Sequence, residues 1–211
     1  MITLSIEAVL GVLFAVVVMQ FFKRHPAAPA STGPVEDLAN LKASDARVGD
    51  VISVSGAGDN MEDLDFTIDR SASVQAGNRY WMELSGEYKN RRVAMRVGGD
   101  EELEVTIHND PRKITIEDLG LTEDDLASID ERQNTGDNFG FDNKNWLYVL
   151  SREAQAQRSD RPQPEGYYYW EFREEGGSGI MALRKAQGDP FGVTLWTGVV
   201  ASDVTVYRGK K

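Results

Sequence analysis

Residues 64–74 read LDFTIDRSASV. Leu64, Phe66 and Ile68 fall on one side of an extended chain, and Asp65, Thr67 and Asp69 on the other. Successive side chains of a strand point to opposite faces, so this two-residue period predicts a strand with one buried face. The same period runs through RYWMELSGEY (79–88), RRVAMRV (91–97) and ELEVTIH (102–108), and VGDVISVSG (48–56) precedes them in the same style. Asn90 and the Gly98-Gly99-Asp100 run supply turn chemistry between strands. Beyond the turn-rich NTGDNFGFDNKN (134–145), five more strand patterns follow: WLYVLSREAQ, GYYYWEFREE, GIMALRKAQ, FGVTLWTGVV and DVTVYRG. Gly176-Gly177-Ser178-Gly179 reads as a hairpin turn.

One helical interruption stands between the two strand-rich halves. In ITIEDLGLTEDDLASID (114–130), Thr115 precedes Asp118 by three residues, and Thr122 precedes Asp125 by three. Both are capping-box-like starts, with acidic first turns that suit a helix dipole. Leu121, Leu126 and Ile129 form the apolar side. The halves show no fixed-period repeat. The fold class expected is mainly β, a barrel or sandwich-like domain of about ten strands with one or two short helices.

An N-terminal transmembrane helix is expected ahead of that domain. Residues 2–22 read ITLSIEAVLGVLFAVVVMQFF, almost wholly apolar. A helix of about 20 such residues crosses the hydrocarbon core. Lys23 and Arg24 follow the run and no basic residue precedes it, so the positive-inside rule puts the N-terminus outside and the domain in the cytoplasm. A cleaved signal peptide wants the opposite charge order, although Ala28 and Ala30 resemble a cleavage site. The expected organisation is an anchor with its basic flank over 1–25, a Pro/Ala-rich linker over 26–44 and a β-rich domain over 45–211. The expected localisation is the cytoplasmic membrane, with residues 2–22 contacting the bilayer.

Composition narrows the chemistry. The chain has no cysteine, which excludes thiolate nucleophiles, disulfides and Cys-ligated metals. Its formal charge of -11 disfavours nucleic acid as a partner. The two histidines, His25 and His108, sit in no G-x-S-x-G context, and His108 reads as a strand-end side chain. The acidic loops around Asp59, Glu62, Asp63 and Asp65, and around Asp137 and Asp142, lack EF-hand spacing and read as turns. Gly56-Ala57-Gly58 lacks the third glycine of a dinucleotide loop. No cofactor, metal ligand or catalytic residue is assigned.

The most unusual local feature is Tyr167-Tyr168-Tyr169-Trp170-Glu171-Phe172. On a strand, Tyr168, Trp170 and Phe172 share one face, and Tyr167, Tyr169 and Glu171 the other. One face can be core. The second either packs against neighbouring strands or serves as a binding surface, for which Tyr167, Tyr169, Trp170 and Glu171 are the candidates.

The ordered set RVGDVISVSG, LDFTIDR, RYWMELSGEY, ITIEDLGLTEDDL, NWLYVLSREA, YYYWEF and GVVASDVTVY resembles the bacterial domain-of-unknown-function family numbered 4178, over about residues 45–208. The resemblance implies no activity and transfers no catalytic residue. It implies association with envelope-stress and membrane-associated proteins. Three functions follow as expectations. The first is a non-enzymatic protein-interaction module at the membrane. The second is a small-ligand binder with a cavity near Trp81, Trp146, Trp170 or Trp196. The third is a hydrolase built on two carboxylates with raised pKa values.

Overall fold

The computed structural model describes residues 41–99 and 103–209. The expected transmembrane helix over 2–22 lies outside them. Among the described residues, no helix is long and apolar enough to cross a membrane.

The strands are β1 (Val51–Val54), β2 (Leu64–Ala76), β3 (Arg79–Tyr88), β4 (Arg91–Gly98), β5 (Glu104–His108), β6 (Asn138–Phe141), β7 (Lys144–Arg158), β8 (Glu165–Glu174), β9 (Ile180–Lys185), β10 (Gly192–Val199) and β11 (Val204–Tyr207). They form one antiparallel sheet in the order β11-β1-β2-β3-β4-β5-β10-β9-β8-β7-β6. A further pairing of β2 with β7 closes eight of these strands into a barrel. The mainly β expectation holds, and closure makes the domain a barrel. Closure also removes most of the free edges that an open sheet of this size would expose.

Sequence reading finds ten of these strands and misses β6. The Asn- and Gly-rich NFGF segment looks like turn. It pairs with β7 because Asp142 and Asn143 both take left-handed backbone (φ 54° and 58°), which makes a two-residue hairpin. The two capping motifs also part ways. Thr122 and Asp125 open a true helix, α1 (Glu123–Arg132), with reciprocal cap bonds. Thr115 and Asp118 make the same bonds but close only a turn, because Gly120 at φ 71° ends it.

The inside of the barrel carries Val74, Ala76, Trp81, Leu150, Ala154, Ala156, Tyr169, Ile180, Ala182 and Trp196. Two further apolar clusters lie on its outside. One joins Phe66, Ile68, Leu84, Val93 and Met95 under β1, β11 and the turn at Ala43–Asp45, which buries Ala43. The other joins Trp146, Tyr148, Trp170, Phe172, Met181 and Leu183 under α1, through Leu126 and Ile129.

The two halves repeat one another. Each is a five-strand meander, β1–β5 and β6–β10, whose long second strand carries a bulge, between Ile68 and Arg70 and between Tyr148 and Leu150. Ile68 pairs with Gly86, and its counterpart Tyr148 pairs with Phe172. Val74 pairs with Trp81, and Ala154 with Tyr167. Glu83 pairs with Arg96, and Tyr169 with Arg184. Ser85 pairs with Ala94, and Glu171 with Ala182. Gln75 sits opposite its own counterpart Gln155 at the β2–β7 junction, so a local dyad passes between them. That dyad lies across the barrel and exchanges its two ends.

Candidate functional site

The alternation that sets the core also sends charge inward. Glu83, Arg96, Glu171 and Arg184 all project into the barrel from strands β3, β4, β8 and β9, and contact one another across it. Arg96 Nη2 donates to Glu171 at 3.0 Å, and Arg184 Nη2 donates to Glu83. The dyad relates Arg96 to Arg184, Trp81 to Tyr167, Tyr169 to Glu83 and Glu171 to Ser85. Arg96 lies over the Trp81 ring at 4.2 Å, and Arg184 over the Tyr167 ring at 5.2 Å. Arg96 Nη1 donates to Tyr169 Oη at 2.9 Å, the counterpart of the bond from Arg184 to Glu83.

The two ends of the barrel carry different side chains at dyad-related positions, Glu171 against Ser85, Tyr169 against Glu83 and Arg79 against Glu165. At one end stands Glu171, fully buried. It accepts from Arg79 at 3.0 Å, from Arg96 at 3.0 Å and from Tyr169 at 2.8 Å, with Arg173 at 3.5 Å. Arg173 also binds Glu104 through two bonds. This network plugs that mouth and leaves only about 40 Å³. At the other end the counterpart of Glu171 is Ser85. There a cavity of about 390 Å³ opens, lined by Glu83, Ser85, Arg92, Ala94, Tyr167 and Arg184, among others. The Tyr167 hydroxyl and Arg184 Nε are buried in its wall, and neither has a hydrogen-bond partner among the described residues.

Burial alone would raise the Glu83 carboxyl. The Arg184 charge and the hydrogen bonds from Arg184 and Trp81 outweigh it and hold the group below its ordinary value. Burial opposes ionisation of Glu171 too, and the Arg96 charge with the Tyr169 hydrogen bond reverses it. Both acids are thus ionised at neutral pH. Burial pushes the Tyr167 phenol up to about 12, so it stays a donor.

The aromatic run does not form an outward face. Tyr169 and Glu171 are fully buried inside the barrel, and Tyr167 lines the open mouth. Trp170 points the other way, under α1, where its Nε1 donates to the Leu126 carbonyl at 3.3 Å. Of the four tryptophans, Trp81 and Trp196 are inside, while Trp146 and Trp170 belong to the α1 cluster. His108 Nδ1 donates to the Leu195 carbonyl at 2.9 Å and braces the β5–β10 seam. The acidic loops are tied down: Asp59 by Arg91 and Lys89, Asp137 by Arg132, Asp142 by Arg112. Among the described residues, no three His, Asp or Glu side chains converge as a metal site.

Glu83, Arg96 and Arg184 escape sequence reading, though a signal exists. VAMR at 93–96 and MALR at 181–184 are dyad-related, with arginine at the inward position of each. No family model, no curated protein and no solved structure matches the chain.

Proposed function

We propose that this domain is a non-enzymatic binding module that takes a small ligand in the open mouth of its barrel. The observation that carries this reading is the unequal pair of barrel ends: one plugged by the Glu171 network, the other open over about 390 Å³. An eight-stranded barrel is just wide enough to be filled by side chains or to hold one small ligand, and here each half of that choice is taken at one end. A volume of this order suits a small organic molecule. In the same reading residues 2–22 hold the module at the cytoplasmic membrane, with the domain on the inner side.

A fragment screen by ligand-observed NMR on the full-length chain tests it. Fragments should bind, and binding should vanish in Ala94→Leu, which extends a wall residue into the cavity, while that variant melts cooperatively. Absence of hits, or hits unchanged by Ala94→Leu, would overturn it.

A second reading, a protein-interaction module, is favoured by the sheet ends. β6 and β11 each terminate the strand order, and Tyr207 on β11 is exposed. Strand addition there could seat an extended segment of a partner. Lysines at the exposed Thr205 and Tyr207, edge charges that oppose strand addition, should abolish crosslinking to a defined partner if this edge is used, and leave it unchanged if not.

A further inference from the structure

We infer that the rim of the open mouth holds a slot one strand wide, between β4 and β10, that takes an extended peptide segment of a partner protein. The inference rests on the ligand-binding reading of that mouth and names the class of ligand. The slot exists because β5 is short. Its ladder with β4 ends at the pair Ala94 and His108, although β4 starts at Arg91. Its ladder with β10 ends at the pair Thr197 and Ile107, although β10 starts at Gly192. Asn109 turns the chain away: its Nδ2 donates to the Ala57 carbonyl at 2.8 Å and its Oδ1 accepts from Arg91 at 2.7 Å. Pro111 has no N–H to offer a ladder, and Arg112 pairs with Asp142 on the β6–β7 hairpin at 2.7 Å. Taking one strand out of a sheet leaves its neighbours about 10 Å apart, which admits one extended chain.

Both walls of the slot present main-chain groups. The Leu195 carbonyl is bonded by His108 at 2.9 Å, so Leu195 faces the β5 side, and alternation turns Val193 the same way. Across the slot, Arg91 pairs with Tyr88 over the two-residue turn Lys89-Asn90, so Arg92 faces away from β3 and into the slot. Among the described residues, the main-chain groups of Arg92 and Val193 on these sides have no hydrogen-bond partner.

The barrel shows what belongs there. The dyad sets Ile107 against Val193 and Thr106 against Gly192. At the plugged end Ile107 and Thr106 are paired by Thr197 and Gly198 and are only 3 % and 1 % exposed. At the open end Val193 is half-buried and Gly192 exposed. The difference is one strand. A peptide fits it, because a main chain presents N–H and C=O at strand spacing to both walls. A second copy of this chain is opposed by a charge of -11 on each. In the registers of the two ladders, the peptide residue opposite Thr194 turns into the barrel as Trp196 does, and enters the cavity of about 390 Å³ beside Ala72, Ala94 and Ala156. The next residue lies opposite Val193 and must keep its N–H, which excludes proline there.

Hydrogen exchange of the full-length chain, followed by NMR, tests this with the peptide WTGVVAS, which copies residues 196–202. It should bind and slow exchange of the Arg92 and Val193 amides about tenfold or more, and WPGVVAS should bind about tenfold more weakly. Val193→Pro removes the donor on the protein side of the same bond and should also lose about tenfold, while Val193→Ala keeps the amide and should bind like wild type. If Val193→Pro does not fold, the two peptides still decide the matter. No binding of WTGVVAS, binding without protection of those two amides, or binding indifferent to the peptide proline overturns the slot. Fragments that still bind and respond to Ala94→Leu would then leave the ligand-binding reading standing; their failure as well removes both. Self-association in sedimentation that Val193→Pro abolishes assigns the slot to a second copy and overturns the partner peptide.

Discussion

Replacing Glu171 with glutamine removes the central charge of the plugged mouth without changing its size. Three arginines then lose an acid, but unequally. Arg173 keeps its two bonds to Glu104, and the Arg79 side chain is 26 % exposed and can turn to water. The Arg96 side chain is 9 % exposed and is left with Tyr169 as its hydrogen-bond partner beyond the strand. Stripping one partner from a buried ion pair costs about 3–5 kcal/mol, because the other charge stays buried. For a domain of this size that is a fall of roughly 8–15 °C in melting temperature. Glu83→Gln provides the contrast. Its partner Arg184 is 29 % exposed at the open mouth, so solvent takes over part of the lost interaction and the cost is about 1–2 kcal/mol. The double substitution Arg96→Met with Glu171→Leu should return to within about 2 kcal/mol of wild type, since apolar replacement of a buried pair is nearly neutral. Urea unfolding at neutral pH, with slopes checked for constancy, measures all three. A Glu171→Gln loss under about 1 kcal/mol, or equal losses for the two single variants, would refute the assignment of the buried charge to Arg96.

The remaining predictions concern the frame around the barrel. A hydrogen bond from Arg91, aided by Lys89, lowers the Asp59 carboxyl from 3.8 to about 2. Its contribution is complete above 3.8 and disappears as pH falls through about 2, so wild type and Asp59→Asn should converge in stability at the acid end of a pH titration and differ at pH 6. Thr122→Ala removes the cap of α1, whose Oγ1 accepts from the Asp125 amide at 3.1 Å, and should cost about 0.5–2 kcal/mol, read as faster hydrogen exchange in α1. Gly86→Ala would place a methyl 2.1 Å from the Thr67 carbonyl oxygen, opposite the β2 bulge. Overpacking against backbone should cost about 3 kcal/mol or more, whereas Gly166→Ala, with open space beside it, should be close to neutral by the same unfolding assay.

The alternation in residues 64–74 and its nine companions was enough to place ten strands, because a half-buried strand writes its period into the chain. The α1 cap at Thr122 was equally plain, since capping is local chemistry. The hairpin at Asp142-Asn143 was not, because left-handed backbone there competes with a loop of the same composition.

What the chain by itself determined is thus the β character, the helix position and the alternation of faces along each strand: all depend on neighbours within a few residues. Only the tertiary structure decided that the strands close through β2 and β7, and that the halves are related by a dyad. It alone decided that Tyr167, Tyr169 and Glu171 turn into the barrel to meet Arg96 and Arg184 rather than facing outward. Alternation says that two faces differ; it does not say which is enclosed. Inward charge breaks the usual correspondence between burial and apolarity, and its sense appears only when residues about 75 positions apart, such as Arg96 and Glu171, come within hydrogen-bond distance across the barrel.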